Sequence, residues 1–503
     1  MAGQSERGTT RYPPDVSARV ACRREQTSGD RVVARTTRTA IRVCREARRS
    51  AVTIWHIPFA VWSILYFGLN FPWRACRAWC RFLEFSNREP FQAEQMSDPR
   101  PDVLLLRLLL AALMTVVGSA LAGAAAAAAK LEVPVAYFSE AIAEPPPLSL
   151  VEVVARDKGL AGAKLAIEDN NTTGRFLNQN FSLVEKTVPQ GGDLRGAASD
   201  LIESGVKFFL ADLTADRLLA LADLAEMKGA VILNVRAADD ALRQRDCRPN
   251  IFNIAPSYAM KADALAQYLV TKKWMKWVLI SGSNPPDKAF ADAIRRSAKR
   301  YRAKIVEERV YAFKAGSRRT DTGEQQIREQ MNKLTQRLVD YDVLVVADES
   351  EVFGEYLPYR TWDPRPVVGS QGLIPAAWHR SLEQWGGTQL QRRFIRRFGR
   401  WMLERDYAGW QAVRAIGEAV ARTKAGDSAA IRTYMLSDNF ELAAFKGQAL
   451  TFRKWNQQLR QPILLTSPLM LVSVSPQAGF LHERTPLDTL GYDKPDSQCR
   501  LNE

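Results

Sequence analysis

From Lys130 onward, short runs rich in β-branched and aromatic residues alternate with longer segments whose apolar residues recur at helical spacing. A chain patterned in this way folds as strand and helix units, with parallel strands in a sheet and helices covering it. Four strands are predicted in the first half, at 131–138, 181–188, 206–210 and 230–235. Leu218, Leu221, Ala222 and Ala225 form the apolar stripe of one intervening helix. After Asn234 the rhythm breaks over a long connection with a proline on each side of 251–255, as a crossing between domains would require. It restarts with strands at 276–280, 305–312, 343–347 and 366–369. The helix predicted at 289–302 turns Phe290, Ala293, Ile294, Ser297 and Tyr301 inward and leaves Arg295, Arg296, Lys299, Arg300 and Arg302 largely outside. A second helix uses Ile327, Met331, Leu334 and Leu338. A helical region at 390–423 precedes a hairpin-like pair and a final strand, and Pro486, Gly491 and Pro495 mark a loose tail at 486–503.

What precedes Lys130 is of another kind. The stretch 103–130 carries Arg107, an apolar run and then a string of alanines, which reads as a secretory signal cleaved near Ala129. A transmembrane helix is the competing reading. Met96 is the expected start of the exported protein, with 96–129 as its signal peptide. Residues 1–95 hold sixteen arginines and no lysine, which reads as sequence upstream of the true start or as a disordered basic arm. Within them, 54–73 is apolar enough to be a membrane anchor if that extension is real.

The division changes what the formal charge of +15 means, because residues 1–95 carry sixteen arginines against eight acids and so supply +8 of it. Residues 96–129 are neutral, so +7 is spread over 130–503. That is mild for the length and argues against nucleic acid as a partner. Only Cys247 and Cys499 remain after Ala129, and in an oxidising compartment they are expected to pair.

Several strings resemble one family. GAKLAIEDNNTTGR at 162–175 is similar to the first helix of the type I periplasmic solute-binding proteins, which include the branched-chain amino acid receptors of ABC transporters. The segment 193–234 resembles their second and third strand–helix units, and DYAGWQAVRAIGEAVARTKAGDSAAIRTYM followed by FKGQALTF resembles their closing helix and strand entry. The opening VPVAYFSEAIAEPPPLSLVEVVARDKGLAGAKLAIEDNNTTG resembles a narrower branch, associated with pyrroloquinoline quinone-dependent alcohol dehydrogenase systems. The resemblance implies an α/β fold of two Rossmann-like lobes with parallel sheets and a multi-strand hinge. Lobe 1 is then 130–250 plus about 380–455, and lobe 2 is 251–379 plus about 456–485. It also implies a periplasmic, monomeric, non-enzymatic component that delivers a small solute to an inner-membrane ABC permease. For the narrower branch, a lanthanide or its chelate is one implied cargo. A ligand-sensing receptor of the same fold, or an amino acid-binding protein, is the alternative.

In such a fold the loops leaving the carboxyl ends of the strands face a cleft between the lobes. They offer Ser139, Asp212 and Thr214, Asn234 and Arg236 in the first lobe, and Ser283, Asp348, Glu349 and Gln371 in the second. Asp212, Asp348 and Glu349 would gather three carboxylates on closure, a set suited to a hard cation such as calcium or a lanthanide. Alternatively Asp348 and Glu349 cap the following helix and Asp212 pairs with Arg236, leaving a polar cleft for an organic anion or a metal chelate.

No catalytic constellation or cofactor is indicated. After Ala129 there are only two histidines, His379 and His482, and no paired nucleophile and base. Arg392, Arg396 and Arg400 share one helical stripe and Arg393 and Arg397 the next, which reads as a solvated face or as a docking surface for a permease. Amino-terminal sequencing of protein isolated from its native cells should find a start close to Lys130. Peptides from 1–95 in that material would refute the assignment of Met96 as the true start.

Overall fold

The computed structural model describes residues 130–141, 154–312 and 321–501. The expected signal segment, the basic arm and the apolar run at 54–73 lie outside these residues. Among the described residues no helix is long and apolar enough to cross a membrane.

Five strands make the first sheet: β1 (Leu131–Glu140), β2 (Gln179–Val188), β3 (Phe208–Asp212), β4 (Val231–Asn234) and β5 (Ile251–Asn253). Their order is β2-β1-β3-β4-β5, every pair parallel. The side-chain period of two splits β1 between opposite faces. Val133, Val135 and Tyr137 join one buried cluster, and Ala136 and Phe138 join the other. Burial on both faces is why these strands read as nearly continuous apolar runs. The covering helices are α1 (Leu160–Leu177), α2 (Leu194–Glu203) and α3 (Ala215–Ala222).

The second sheet holds β6 (Lys276–Gly282), β7 (Lys304–Tyr311), β8 (Val343–Ala347) and β9 (Val367–Gly369), in the parallel order β7-β6-β8-β9. Around it lie α4 (Tyr258–Thr271), α5 (Pro285–Arg300) and α6 (Asp321–Leu334). Trp277 and Leu279 of β6 enter one buried cluster, and Val278 and Ile280 the other. Two corrections arise here. Residues 251–253 belong to the first sheet as β5, so the first lobe extends past 250. Arg296 and Arg300 are not outward: both pair with Asp263 of α4, at 3.0 and 2.8 Å, and Asp263 is fully buried.

The chain then passes through β10 (Ile374–Ala376) into α7 (Gly387–Phe398), α8 (Glu404–Thr423) and α9 (Ser428–Met435). Next come two antiparallel pairs, β11 (Thr451–Phe452) with β12 (Leu459–Arg460), and β13 (Ile463–Thr466) with β14 (Leu471–Ser475). β10 pairs with β13. The continuous helical region expected at 390–423 is broken at Gly399, whose φ of 69° ends α7. Helix α8 returns to the first lobe and lies so close to α1 that a Cβ at Gly162 would strike the carbonyl oxygen of Asp406. Only glycine permits that approach.

Tail residues 486–501 are not loose. Leu487 and Leu490 are buried, and the fully buried Asp488 accepts from Arg453 and Arg460 at 2.9 and 2.8 Å. Gly491 N–H donates to Asp263, and a disulfide joins Cys247 to Cys499, with Cα atoms 5.7 Å apart. Proline and glycine signals mark the turns of this segment but carry no information about what it packs against. Asp488→Ala strands two buried guanidinium groups and should cost about 3–5 kcal/mol in urea denaturation. A loss under about 1 kcal/mol would mean the tail is not part of the folded core.

Candidate functional site

The carboxyl ends of both parallel sheets bring the expected loops to the interlobe region, but not to one common point. Asp212, at the end of β3, is buried and spent within its own lobe. It accepts from the Tyr137 hydroxyl at 2.6 Å, lies 3.4 Å from Arg236 and 3.8 Å from Arg405. Burial, followed by the Asp212 charge, holds the Tyr137 hydroxyl far above the ordinary phenol range. Asp348, at the end of β8, accepts from the backbone N–H groups of Val352, Phe353 and Gly354 at 3.0, 2.8 and 2.6 Å. It caps the turn entering the short helix Gly354–Tyr359. Burial raises its pKa even against these three donors.

The three-carboxylate cation site is therefore corrected. Among the described residues no cluster of three acidic, histidine or cysteine side chains is placed to hold a metal. Asp212 and Asp348 each have partners, as the alternative arrangement expected of them, but Glu349, expected to cap the same turn, does not.

Other expected ligands also have structural work. The Asn234 amide donates to Ala237 O and Asn253 Oδ1, while its oxygen accepts from the N–H groups of Arg236 and Ala237. This closes the turn after β4 and leaves nothing for a solute. Ser139 exchanges a hydrogen bond with Thr187 on β2. Thr214 is the exposed residue preceding α3. Ser283 is half-buried before the first turn of α5, where Asn284 N–H donates to Asp287. Gln371 lies against Gly354, and its neighbour Ser370 donates to Val346 O and accepts from Asp348 N–H.

Glu349 stands apart. Among the described residues no donor lies within hydrogen-bond distance of its carboxylate, although it is half-buried. Burial pushes its pKa up to about 7, with Lys261 opposing and Glu404, Asp287 and Glu351 adding to the rise. The nearby Tyr258 hydroxyl is raised in turn, by burial first and then by Glu349. Lys261, on the first turn of α4, bonds Glu404 at 3.2 Å. Burial pulls the Lys261 ammonium down, but Glu404 and Glu349 outweigh it, so its pKa ends above the usual lysine value.

Glu404 opens α8 and spans the crossing: one carboxylate oxygen takes Lys261, and the other accepts from Ala377 N–H at 2.7 Å. The carbonyl of Ala377 is held by Lys446, which also donates to Pro462 O at 3.1 Å. Lys446 is buried over the ring of Tyr407, and burial lowers its pKa to about 7. Lys261, Glu404, Arg405 and Lys446 had no sequence signal of the kind used, because none lies at the end of a predicted strand. The break between α7 and α8 was the one available pointer, since it sets Glu404 and Arg405 at the head of a helix facing both lobes. Beside this break lies a groove of about 360 Å³, lined by Ala155, Ile395, Gly399, Arg400, Trp401 and Leu403.

The arginine stripes of α7 are in part tied to their own lobe. Arg393 pairs with Asp169 and Arg400 with Asp157 and the buried Asp406, so these two are engaged within the lobe, whereas Arg397 meets Glu168 at an exposed position and Arg392 and Arg396 are exposed, as a solvated face requires. His379 Nδ1 is 2.7 Å from the Ser381 hydroxyl, and burial lowers its pKa.

The family model described as periplasmic binding protein matches residues 155–327. No curated protein sequence matches. A periplasmic binding protein from Burkholderia mallei is similar in structure, with a TM-score of 0.52 at 15% identity, covering 74% of this chain and 99% of its own. A branched-chain amino acid ABC transporter ligand-binding protein from Burkholderia xenovorans gives 0.53 at 16%, covering 68% and 95%. A solute-binding protein from R. palustris in complex with benzoate gives 0.53 at 12%, covering 74% and 100%. The fold is thus the α/β, two-lobed fold of the type I periplasmic binding proteins.

The two groups that titrate near neutrality act in separate pH windows. The folded pKa of Glu349 lies above its unfolded value, so its contribution to stability is full below about pH 4.5 and is lost as pH rises through about 7. The folded pKa of Lys446 lies below its unfolded value, so stability rises with pH between about 7 and about 10.5. Melting curves from pH 5 to 7 should show Glu349→Gln declining less than wild type. From pH 7.5 to 10, Lys446→Met should lack the wild-type gain. Parallel profiles for variant and wild type would overturn either assignment.

Proposed function

We propose that this protein is the solute-binding component of an ABC importer and that it captures a small charged organic solute between its lobes. The carrying observation is Glu349, a half-buried carboxylate with no hydrogen-bond donor of its own among the described residues, beside a lysine shared with the opposite lobe. An acceptor of this kind gains most from a donor that arrives with the ligand, such as an ammonium or hydroxyl group. The matched family model and the shared fold support solute capture, and the structurally similar amino acid- and benzoate-binding proteins share that architecture.

On the first lobe, Arg236 and Arg405 neutralise Asp212, which removes the repulsion that a ligand carboxylate would otherwise meet there. The groove lined by Trp401 and Leu403 lies just before Arg405 in the chain and would supply an apolar surface if the solute reaches it. A solute with a donor at one end, an acid at the other and an apolar body matches this set of groups. The narrower link to quinone-dependent alcohol oxidation rests on the sequence resemblance over 133–174, and a chelate delivered through an organic ligand is the form of lanthanide cargo compatible with it.

Mass spectrometry of small molecules retained by protein purified from its native periplasm should identify an organic solute, and thermal shift with leucine and benzoate brackets its chemistry. At about 100 times its dissociation constant, a true ligand adds roughly 2.7 kcal/mol to the stability of the folded state. Glu349→Gln should weaken retention at least about tenfold. Retention of a bare metal ion with no organic molecule, unchanged in Glu349→Gln, would overturn this reading.

A further inference from the structure

The amino-terminal ends of β6, β7, β8 and β9 lie along one edge of the second lobe, because these strands are parallel and adjacent. Backbone bonds fasten their lead-in segments to one another. Lys304 N–H donates to Met275 O, Asp342 N–H to Lys276 O, and Leu344 N–H to Pro366 O, each at 2.8–2.9 Å. This pole lies at the opposite end of the strands from the cleft.

Its cations outnumber its acids. Lys272, Lys273, Arg302, Lys304, Arg337 and Arg360 are all exposed, and none has an acidic partner among the described residues. The acids nearby are engaged elsewhere. Asp340 pairs with Lys276 and Arg365, Asp342 accepts from the N–H groups of Met275 and Lys276, and Glu307 pairs with Arg309. Asp363 offsets one of the six charges. The carboxyl ends of α4, α5 and α6 offset roughly half a charge each, leaving an excess of about 3.5 positive charges.

Backbone conformation shows that three of these cations are placed at a cost. Lys273, Arg302 and Arg337 follow the ends of α4, α5 and α6 with φ of 62°, 60° and 54°. That is the left-handed position at which helices usually carry glycine, and a side chain there is strained. Lys424 occupies the same position at the end of α8 in the first lobe, so what distinguishes this pole is that three such cations stand side by side. Among the cations, Trp362 is 57% exposed, Tyr359 93% and Val339 49%. The backbone N–H of Trp362 donates to Thr335 Oγ1 at 2.9 Å.

We propose that this pole is a peripheral docking surface for an anionic phospholipid bilayer. Exposed indole and phenol rings set among lysines and arginines suit the boundary between headgroups and acyl chains. The cations are also spread over four strand starts, roughly 14 Å across at the usual strand spacing, so they address a charged plane and not a single phosphate. Such docking would hold the protein at a membrane with its cleft end directed away from the lipid.

The test uses the full chain with vesicles of phosphatidylcholine alone or with 30% phosphatidylglycerol, read by hydroxyl-radical footprinting at Tyr359 and Trp362. This readout is local to the pole, whatever the amino-terminal segments do. Protection is expected on the anionic vesicles only, falling at 0.5 M salt. The triple variant Lys273→Gly, Arg302→Gly, Arg337→Gly suits its left-handed backbone and should melt no lower than wild type. It should lose at least about tenfold in vesicle partition at the pole. A second variant, Tyr359→Ser with Trp362→Ser, should weaken partition and keep its salt dependence. Equal protection on neutral vesicles, none on either, or protection by a single-stranded oligonucleotide in place of vesicles would overturn the proposal.

Discussion

Polypeptide crossing between two sheets must be irregular, and here it is also buried, so its backbone N–H and C=O groups need partners that neither sheet supplies. The rest of the architecture depends on how that need is met. Gln457 donates to Arg248 O and Ile251 O, Gln458 to Asn253 O and Ala255 O, and Gln461 to Ile254 O. Arg243, itself buried, donates to Ala237 O, Asp239 O and Ala255 O and to the side chain of Gln458. Long amides and a guanidinium can reach carbonyls whose spacing follows no ladder, which accounts for a glutamine-rich segment where a core would otherwise demand apolar residues.

The same crossing explains why charge collects at Glu404. Ala377 follows β10 as the chain returns to the first lobe, and both its backbone groups are bound by ionic side chains, the N–H by Glu404 and the carbonyl by Lys446. Glu404 in turn holds Lys261 of the second lobe, and Lys261 faces Glu349. A ligand cation at Glu349 would compete with Lys261 for that carboxylate and strengthen the hold of Lys261 on Glu404. A cation bound there would thus be electrostatically linked to the fastening of the crossing through one lysine.

How much of this was legible in the sequence depended on whether a feature was local. Both parallel sheets were, since doubly buried strands announce themselves as apolar runs, and the positions of β1 to β4 and β6 to β9 follow the predicted ones closely. β5 was missed as a sheet member because Ile251–Asn253 is only three residues long and sits between prolines. The site was half legible. Placing Asp212 beside Arg236 and Asp348 over the next turn needed only strand ends and capping rules, whereas the helix-borne Lys261 and Glu404 meet through tertiary contact between residues 143 positions apart. Arg296 and Arg300 show the same limit in reverse. Helical periodicity put them outside, and a buried acid on the adjacent helix brought them in.

The tail adds a constraint on any motion of the lobes. It is fixed to the crossing by Asp488 between Arg453 and Arg460, to the second lobe by Gly491, whose carbonyl takes Arg296 and Arg300, and to the first lobe's 236–250 loop by Cys499 and by Gln498 N–H on Gln244. That loop is itself held to the first lobe where Arg248 pairs with Asp223. A movement that separates these three anchors must break buried charged bonds, which is costly. A rotation about the line through them leaves the bonds intact. The tail therefore restricts how the lobes can move, and the half-buried pair of Lys261 and Glu404 ties the second lobe to the head of α8 as well.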